Sequence, residues 1–572
     1  MADKVDEAVA NATLAARTVR FLMNQGCAHA VLSPGSRNTP VVLALLDEAA
    51  RGALQLHTVL DERQAGFLAL GLARESKSPV LLSCTSGTAG AHYFPAIAEA
   101  NQLGIPLVVL TADRPDEMQG RGAPQTMDQL ALYGGHVRAH LNLSPDGDTL
   151  QQRKLESRLE AWIAPVSGER SGPVHLNLRF RKPLWREGLL PTAGDVALSS
   201  PDVTTGHDGS QVLESLYAAV SGAERGVIVA GPRERSVDGV AEQAVLRFAR
   251  DNQWPIIAEP ASGLHGPELS FGMDAALRDP AWAEALRPDC ILRIGRSPTA
   301  QSVSNWLKSN GGEITWLVEP SGCLLDAEQI YPSVIDSPIE SVFSSLASTP
   351  LDEAWGRRFA AVSQVVEEVL GVSGGDALWG GSIVPVLWSA LGGGDDLHVA
   401  SSMAIRDLGS FGRSGMHSPR VSANRGTNGI DGTIACAVGQ ARASRRPMTV
   451  LLGDLAFLHD QAALGLIGQD LVRVIVVDNG GGGIFQHLPI AAHAEVFERY
   501  FFTPHEADIP AIARAHGRRC TSVSTVAEFK ECLGVFQPDV LHLSVDRDGD
   551  YARHYAFWDA VEARLALSEN AT

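Results

Sequence analysis

A chain of 572 residues with 45% hydrophobic and 20% charged residues is too long for one core and too apolar for wholesale disorder, so about three globular domains are expected. A formal charge of −19, with no runs of Lys and Arg, excludes nucleic acid as a general partner and leaves room only for local basic pockets. The acidic, Ala-rich start (residues 1–18) has no apolar signal region, and apolar runs such as 105–110 and 474–477 are far too short for a bilayer, so a cytoplasmic protein without membrane insertion is expected.

Short Val/Ile/Leu runs at 30–32, 56–60, 79–83 and 106–110 each end in a polar turn: S-P-G-S-R-N, D-E-R-Q, T-S-G-T-A-G and A-D-R-P. With helical segments between them, they read as βα units of a parallel sheet buried on both faces, whose ligands gather at the turns beyond the carboxyl ends of the strands. A stretch rich in Pro, Ser, Thr, Asp and Gly at 191–210 reads as a linker to a second set of strands at 226–230, 255–258, 290–294 and 314–318. Looser sequence at 344–350 and a Gly-rich stretch at 371–381 precede a third set near 397–400, 448–452, 473–477 and 540–544. The expected fold class is α/β, with three doubly wound, mainly parallel domains over 1–190, 210–345 and 375–572. Seven scattered cysteines, with no C-x-x-C pair, read as buried thiols. Cys84 sits beside a Gly/Ser/Thr loop, but no His stands in a nucleophile-activating relation to it.

The most specific signal is V-L-L-G-D-L at 450–455, followed by a helix, a strand and V-V-D-N-G-G-G-G-I-F at 476–485. Asp454 and Asn479 end neighbouring strands, so both side-chain oxygens can meet one hard cation, with the Gly481 carbonyl as a third ligand. Mg²⁺ suits so sparse a set, because it takes its remaining ligands from phosphate and water; Mn²⁺ is the alternative. A helix starting just after Asp454 would aim its first amides at the phosphates. A lone Gly-rich loop would read as mere flexibility, but the pairing of GD with DN argues for a metal–pyrophosphate site. No Walker motif points to a nucleotide. Arg37, Arg114, Arg406 and Arg425 stand in turn segments S-P-G-S-R-N-T-P, T-A-D-R-P, S-S-M-A-I-R-D and A-N-R-G-T-N-G-I-D-G, where each can fork onto a carboxylate.

The GD…N spacing resembles the motif of the thiamine-diphosphate-dependent enzymes, and L-D-E-R-Q-A-G-F at 60–67 resembles that family's strand-to-helix turn with its activating glutamate. The resemblance implies that 1–190 binds the pyrimidine, 210–345 is central and 375–572 binds the pyrophosphate of thiamine diphosphate. It places Glu62 against a ring nitrogen of the pyrimidine as the catalytic carboxyl. Ser402, Met403, Gly429, Gly453, Asp454, Leu455, Asn479, Ile484 and Phe485 are then cofactor contacts, and Ile430 is the wedge that bends the cofactor; by itself Ile430 reads equally as core. A homo-oligomer is implied, a dimer or a tetramer, with Glu62 supplied across the dimer.

The Arg turns, together with T-S-G-T-A-G-A-H-Y-F-P-A-I-A-E-A, closely resemble the menaquinone-pathway branch of that family, transferases that decarboxylate 2-oxoglutarate and add the product to isochorismate. This implies that Ser402 and Arg406 receive 2-oxoglutarate, and that Ser36, Arg37, Arg114, Gln125 and Arg425 receive isochorismate. Two departures stand out. Pro124 occupies the place of an Asn in many relatives, and Gln301 and Ser302 stand where some carry basic residues, with Arg296 close by. Another thiamine-diphosphate ligase or decarboxylase, such as an acetolactate-synthase-like enzyme, is the nearest alternative. A non-catalytic binding module is the alternative of a different class.

Overall fold

A computed structural model describes residues 6–146, 151–168, 170–187, 189, 210–236, 238–330, 332–347, 350–373, 375–412, 418–537 and 539–569. The stretch expected as a linker at 191–210 lies, apart from Ser210, outside the described residues, as do 348–349 and Gly374 of the second loose region. The Gly-rich stretch is shorter than expected. The helix Glu353–Val372 runs into it and the helix Gly380–Ala390 begins at its end.

Three six-stranded sheets follow one another along the chain, and every strand pair is parallel. The first contains β1 (His29–Leu32), β2 (Gln55–Thr58), β3 (Val80–Cys84), β4 (Leu107–Asp113), β5 (Ala139–Leu143) and β6 (Val174–Arg179), in the order β2-β1-β3-β4-β6-β5. The second contains β7 (Gly226–Ala230), β8 (Ile256–Ala258), β9 (Leu269–Ser270), β10 (Cys290–Ile294), β11 (Thr315–Val318) and β12 (Ser333–Ile335), in the order β12-β11-β10-β7-β8-β9. The third contains β13 (Asp396–Val399), β14 (Arg420–Ala423), β15 (Met448–Gly453), β16 (Val472–Asp478), β17 (Cys520–Val523) and β18 (Val540–Ser544), in the order β14-β13-β15-β16-β18-β17. The first and third sheets therefore share one strand order. The second has the Rossmann-type order. Central strands such as β4 and β7 are buried at every residue. Because successive side chains point to opposite faces, such burial requires cover on both faces.

The described residues of 1–205, 426–445 and 462–470 form one compact unit, and those of 206–425, 446–461 and 471–572 form another. In the first, Leu14, Val19, Leu22, Leu81, Val108, Leu110, Trp162 and Leu176 belong to the core of the first sheet. Here too the helix Glu62–Ser76 packs on the helix Thr433–Ser444. An ideal Cβ on Gly71 would lie 2.0 Å from the Cys436 carbonyl oxygen, and one on Gly439 would lie 2.3 Å from that of Leu68. Only glycine at both places permits this approach. In the other unit a continuous core joins Val227, Trp254, Ile291, Trp306 and Phe359 to Leu397, Phe411, Leu451 and Leu541. No helix among the described residues is long and apolar enough to cross a membrane.

All seven cysteines are free thiols. Cys84 is buried, and burial raises its thiol pKa, as expected of an inert buried thiol. Three cysteines depart from the expectation of buried thiols: Cys520 and Cys532 are half-buried, and Cys323 departs furthest. It is exposed, in the irregular segment after β11.

Candidate active site

In an open α/β sheet the strand order reverses at a switch point, and the loops leaving the carboxyl ends there diverge and leave a crevice. In the first sheet that point lies between β1 and β3, so the loops 33–38 and 85–87 flank it. Glu62 opens the next helix, whose N-cap Asp61 accepts hydrogen bonds from Arg63 N (2.9 Å) and Gln64 N (3.3 Å). A cavity of about 360 Å³ is lined by Glu62, Thr85, Ser86, His92, Gln125 and Met127, among others. Arg114 donates to Ser86 Oγ and, at 3.2 Å, to Gln125 Oε1. Its backbone is turned by a bond from Arg114 N to Asp113 Oδ1 (2.7 Å). Arg37 is buried and donates from Nη1 to the Phe180 carbonyl (2.7 Å), while its backbone N–H donates to Thr85 Oγ1 (3.2 Å). Burial, then the nearby Arg114 charge, lowers its pKa. Ser36 is exposed, and its carbonyl accepts from Thr39 Oγ1 at 2.7 Å. Glu62 and Gln125 thus share one cavity, Arg114 reaches Gln125, and Ser36 and Arg37 stand on the β1 loop of the same switch point.

Also in this unit, the loop 426–432 carries Gly429 and Ile430. Ile430 is 36% exposed, which removes the core reading for it in the single chain.

In the third sheet the switch point lies between β13 and β15. Asp454 follows β15 directly and starts the short helix Asp454–Asp460, with Gly453 as its N-cap. The carboxyl is 3% exposed and accepts from Leu455 N (2.6 Å) and Gly481 N (2.8 Å). Burial pushes it up to about 6, with the neighbouring Asp478 adding to the shift. Asp478 is held below its ordinary range against the cost of burial, by the His542 ring (2.7 Å) and the Gly480 amide (2.9 Å). His505 Nε2 lies 3.3 Å from Asp454 Oδ2 and 3.8 Å from Asp478 Oδ1. Asp454, Asp478 and His505 bring three ligand atoms within 4.8 Å of one another. Beside them Asn479 Oδ1 is buried without a hydrogen-bond partner, and the Gly481 carbonyl accepts from Gly483 N at 3.0 Å. Oxygen donors from a buried carboxyl, a half-buried carboxyl and a buried amide oxygen without a protein partner are the ligand chemistry of a hard divalent metal, and these residues fit such an ion.

Sequence reasoning missed two members of this group. Asp478 was legible, since it precedes Asn479 in the same motif. His505 arrives from a segment with no motif of its own.

The loop after β13 holds Ser402 at φ 74°, a left-handed value that a serine adopts only under constraint, and from it the helix Met403–Phe411 departs. Arg406 Nη1 donates back to the Ser402 carbonyl at 2.8 Å. Arg425 donates to Ser401 Oγ (3.3 Å) and Thr299 Oγ1 (3.4 Å). Met403, Arg406, Ile484, Phe485 and Leu488 line a cavity of about 500 Å³ together with Glu259, Gln301 and Ser302. Burial lowers the Arg406 pKa, opposed by the charges of Glu259 and Asp407.

Gln301 and Ser302, where basic residues were in question, bring no charge to this cavity. Arg278 does, and it stacks at 3.5 Å on Trp558. Beneath it His554, 1% exposed, bonds Asp407 through Nε2 (2.9 Å) and the Asp550 carbonyl through Nδ1 (2.9 Å). Burial opposes its charge, but Asp407 and then Asp550 raise it to about 9. Arg278, Glu259 and His554 carry no sequence signal, because Trp558, Thr299 and Asp407, which they meet, lie far away in the chain.

Residues 12–132 match the thiamine pyrophosphate enzyme N-terminal TPP binding domain, and residues 211–387 match the middle domain of thiamine pyrophosphate enzymes. The chain is 36% identical to the 2-succinyl-5-enolpyruvyl-6-hydroxy-3-cyclohexene-1-carboxylate synthase of Myxococcus xanthus, over 96% of each chain. It is 35% identical to the synthase of that name from Geobacillus kaustophilus over 96% of this chain and 98% of the relative. For the Haloarcula marismortui synthase the figures are 33%, 87% and 88%. With first and third sheets of one topology and this likeness over nearly its whole length, the chain belongs to the 2-succinyl-5-enolpyruvyl-6-hydroxy-3-cyclohexene-1-carboxylate synthase family of thiamine pyrophosphate enzymes.

Proposed function

We propose that the protein is a decarboxylating transferase that takes 2-oxoglutarate, releases CO₂ and joins the remaining four-carbon unit to isochorismate by conjugate addition, in menaquinone biosynthesis. The observation that carries this reading is the near full-length likeness to the synthases, together with guanidiniums at the carboxyl ends of the first and third sheets. Domains over 1–190, 210–345 and 375–572 serve as its pyrimidine-binding, central and pyrophosphate-binding parts.

Bound thiamine diphosphate supplies the electron sink that lets a 2-oxo acid lose CO₂. Asp454 and Asn479, with the Gly481 carbonyl, hold the Mg²⁺ or Mn²⁺ that carries its diphosphate; Asp478 and His505 orient Asp454. Glu62, half-buried and lining a cavity, shares its proton with a ring nitrogen of the pyrimidine. Gly429, Ile430, Ser402, Met403, Gly453, Leu455, Ile484 and Phe485 form the cofactor walls. Arg406 and Ser402 hold 2-oxoglutarate, and Arg37, Arg114, Gln125, Ser36 and Arg425 hold isochorismate. Ile484, Phe485 and Leu488 exclude water from the reacting carbon. The working unit is a homodimer or tetramer in which Glu62 of one copy serves the cofactor of another. Seven unpaired thiols suit the reducing cytoplasm.

Release of CO₂ from carboxyl-labelled 2-oxoglutarate, with thiamine diphosphate, metal or isochorismate omitted in turn, tests the reading. Release that needs the cofactor and the metal and is stimulated by isochorismate is expected. Equal or faster release from labelled pyruvate would overturn the substrate assignment.

A further inference from the structure

The exposed Ile430 sits in a loop whose beginning is fixed by one buried carboxylate, Glu99 of the helix Phe94–Leu103, and Glu99 is only 1% exposed. Its Oε1 accepts from Gly426 N at 2.8 Å, and its Oε2 accepts from Thr427 N at 2.6 Å and Thr427 Oγ1 at 2.7 Å. Both oxygens are satisfied by donors from the loop. An ideal Cβ on Gly426 would lie 2.9 Å from the Glu99 carbonyl oxygen, so the backbone rests directly on the helix. The loop then turns through Asn428, at φ 59°, before exposing Ile430, and it ends where Gly432 meets the Phe67 ring.

A buried carboxylate is stable only with such compensation, and charge-assisted bonds are about twice as strong as neutral ones. Three of them on one residue specify a backbone path far more tightly than the apolar contacts of an exposed Ile can.

We propose that Glu99 is a positioning residue of the cofactor site: it fixes the loop 426–430 before ligand arrives and thereby preforms the apolar wall that Ile430 presents to thiamine diphosphate. The inference rests on the cofactor role proposed for Ile430, and it adds what anchors the loop that carries this exposed apolar side chain. The loop's order is a property of the protein alone, whereas its effect on turnover passes through cofactor geometry. A Glu99 variant should therefore lose kcat more than KM for 2-oxoglutarate.

The test uses the full-length protein with Glu99→Gln, Glu99→Ala and Thr427→Val, and Ile430→Ala as the control. Hydrogen exchange over 424–432 is measured without cofactor, and thiamine diphosphate affinity with Mg²⁺ is measured by tryptophan fluorescence. In Glu99→Ala, exchange of the loop amides should rise roughly tenfold or more, with cofactor Kd weakened by a similar factor. Glu99→Gln should be intermediate, and Thr427→Val, which leaves both amide bonds, should shift Kd only about threefold. If Glu99→Ala does not fold, Thr427→Val and Glu99→Gln carry the test. Unchanged exchange in a folded Glu99 variant overturns the proposal. Faster exchange with wild-type cofactor affinity and kcat also overturns it, provided Ile430→Ala does weaken the cofactor. If Ile430→Ala binds and turns over like the wild type, the role proposed for Ile430 fails and the positioning role falls with it.

Discussion

The first and third sheets have the same strand order, yet the loops at the carboxyl ends of their strands carry opposite chemistry. On the first sheet's side the Glu62 carboxyl, hydroxyls, the His92 ring and the Gln125 amide line a cavity, with the Arg114 guanidinium reaching Ser86 and Gln125. Beyond β15 and β16 stand two carboxyls and an imidazole with ligand atoms within 4.8 Å of one another, and Asn479 next in sequence has a buried side-chain oxygen without a partner. The fold places loops at each crevice, and a few side chains decide whether the crevice suits a proton-sharing organic ring or a metal with phosphate.

The largest effect should come from the first sheet's side, where Glu62 lines the cavity. Glu62→Gln keeps the shape and removes the shared proton, so kcat should fall roughly 10²–10⁴-fold in steady-state assays, with thiamine diphosphate affinity nearly unchanged. Equal losses in both would make Glu62 a binding group and erase the contrast. On the metal side the pattern should invert. Asp454→Ala should weaken Mg²⁺-dependent cofactor binding by about 100-fold or more, read by titration, while leaving the fold intact.

Sharpening the comparison further, Gly71→Ala strikes the close helix approach that fixes the Glu62 helix. Its Cβ meets a backbone carbonyl that cannot step aside, so a stability loss of about 3 kcal/mol and a lower Tm are expected.

The smallest effect concerns His554 beneath the third-sheet cavity. Its folded pKa, about 9, exceeds the ordinary histidine value, so its contribution is fully present below about pH 6.5 and is lost as pH rises through 9. The Tm gap between wild type and His554→Gln should therefore narrow between pH 6 and pH 10. A gap independent of pH would mean that His554 acts through packing alone.

Much of this was legible in the sequence, and the failures have physical causes. The buried apolar runs gave every interior strand except β6. That strand reads V-H-L-N-L-R because His175 and Asn177 are buried polar residues, satisfied by Thr111 (2.8 and 2.9 Å) and Asp113 (3.1 Å). The other missed strands, β5, β9, β12, β14 and β17, are sheet edges, where half-exposed residues break the apolar run. Among site residues, Asp454 and Asn479 stand out because local motifs specify them. His505, Arg278 and His554 do not, because tertiary folding alone brings them to their partners.

The measurement closest to the central claim is mass spectrometry of the products formed by the purified protein from isochorismate with either 2-oxoglutarate or pyruvate, in the presence of thiamine diphosphate and Mg²⁺. A succinyl-bearing adduct of isochorismate, formed only with 2-oxoglutarate and lost in Glu62→Gln, is the predicted result. Ligation or CO₂ release with pyruvate and no adduct from 2-oxoglutarate would contradict the account.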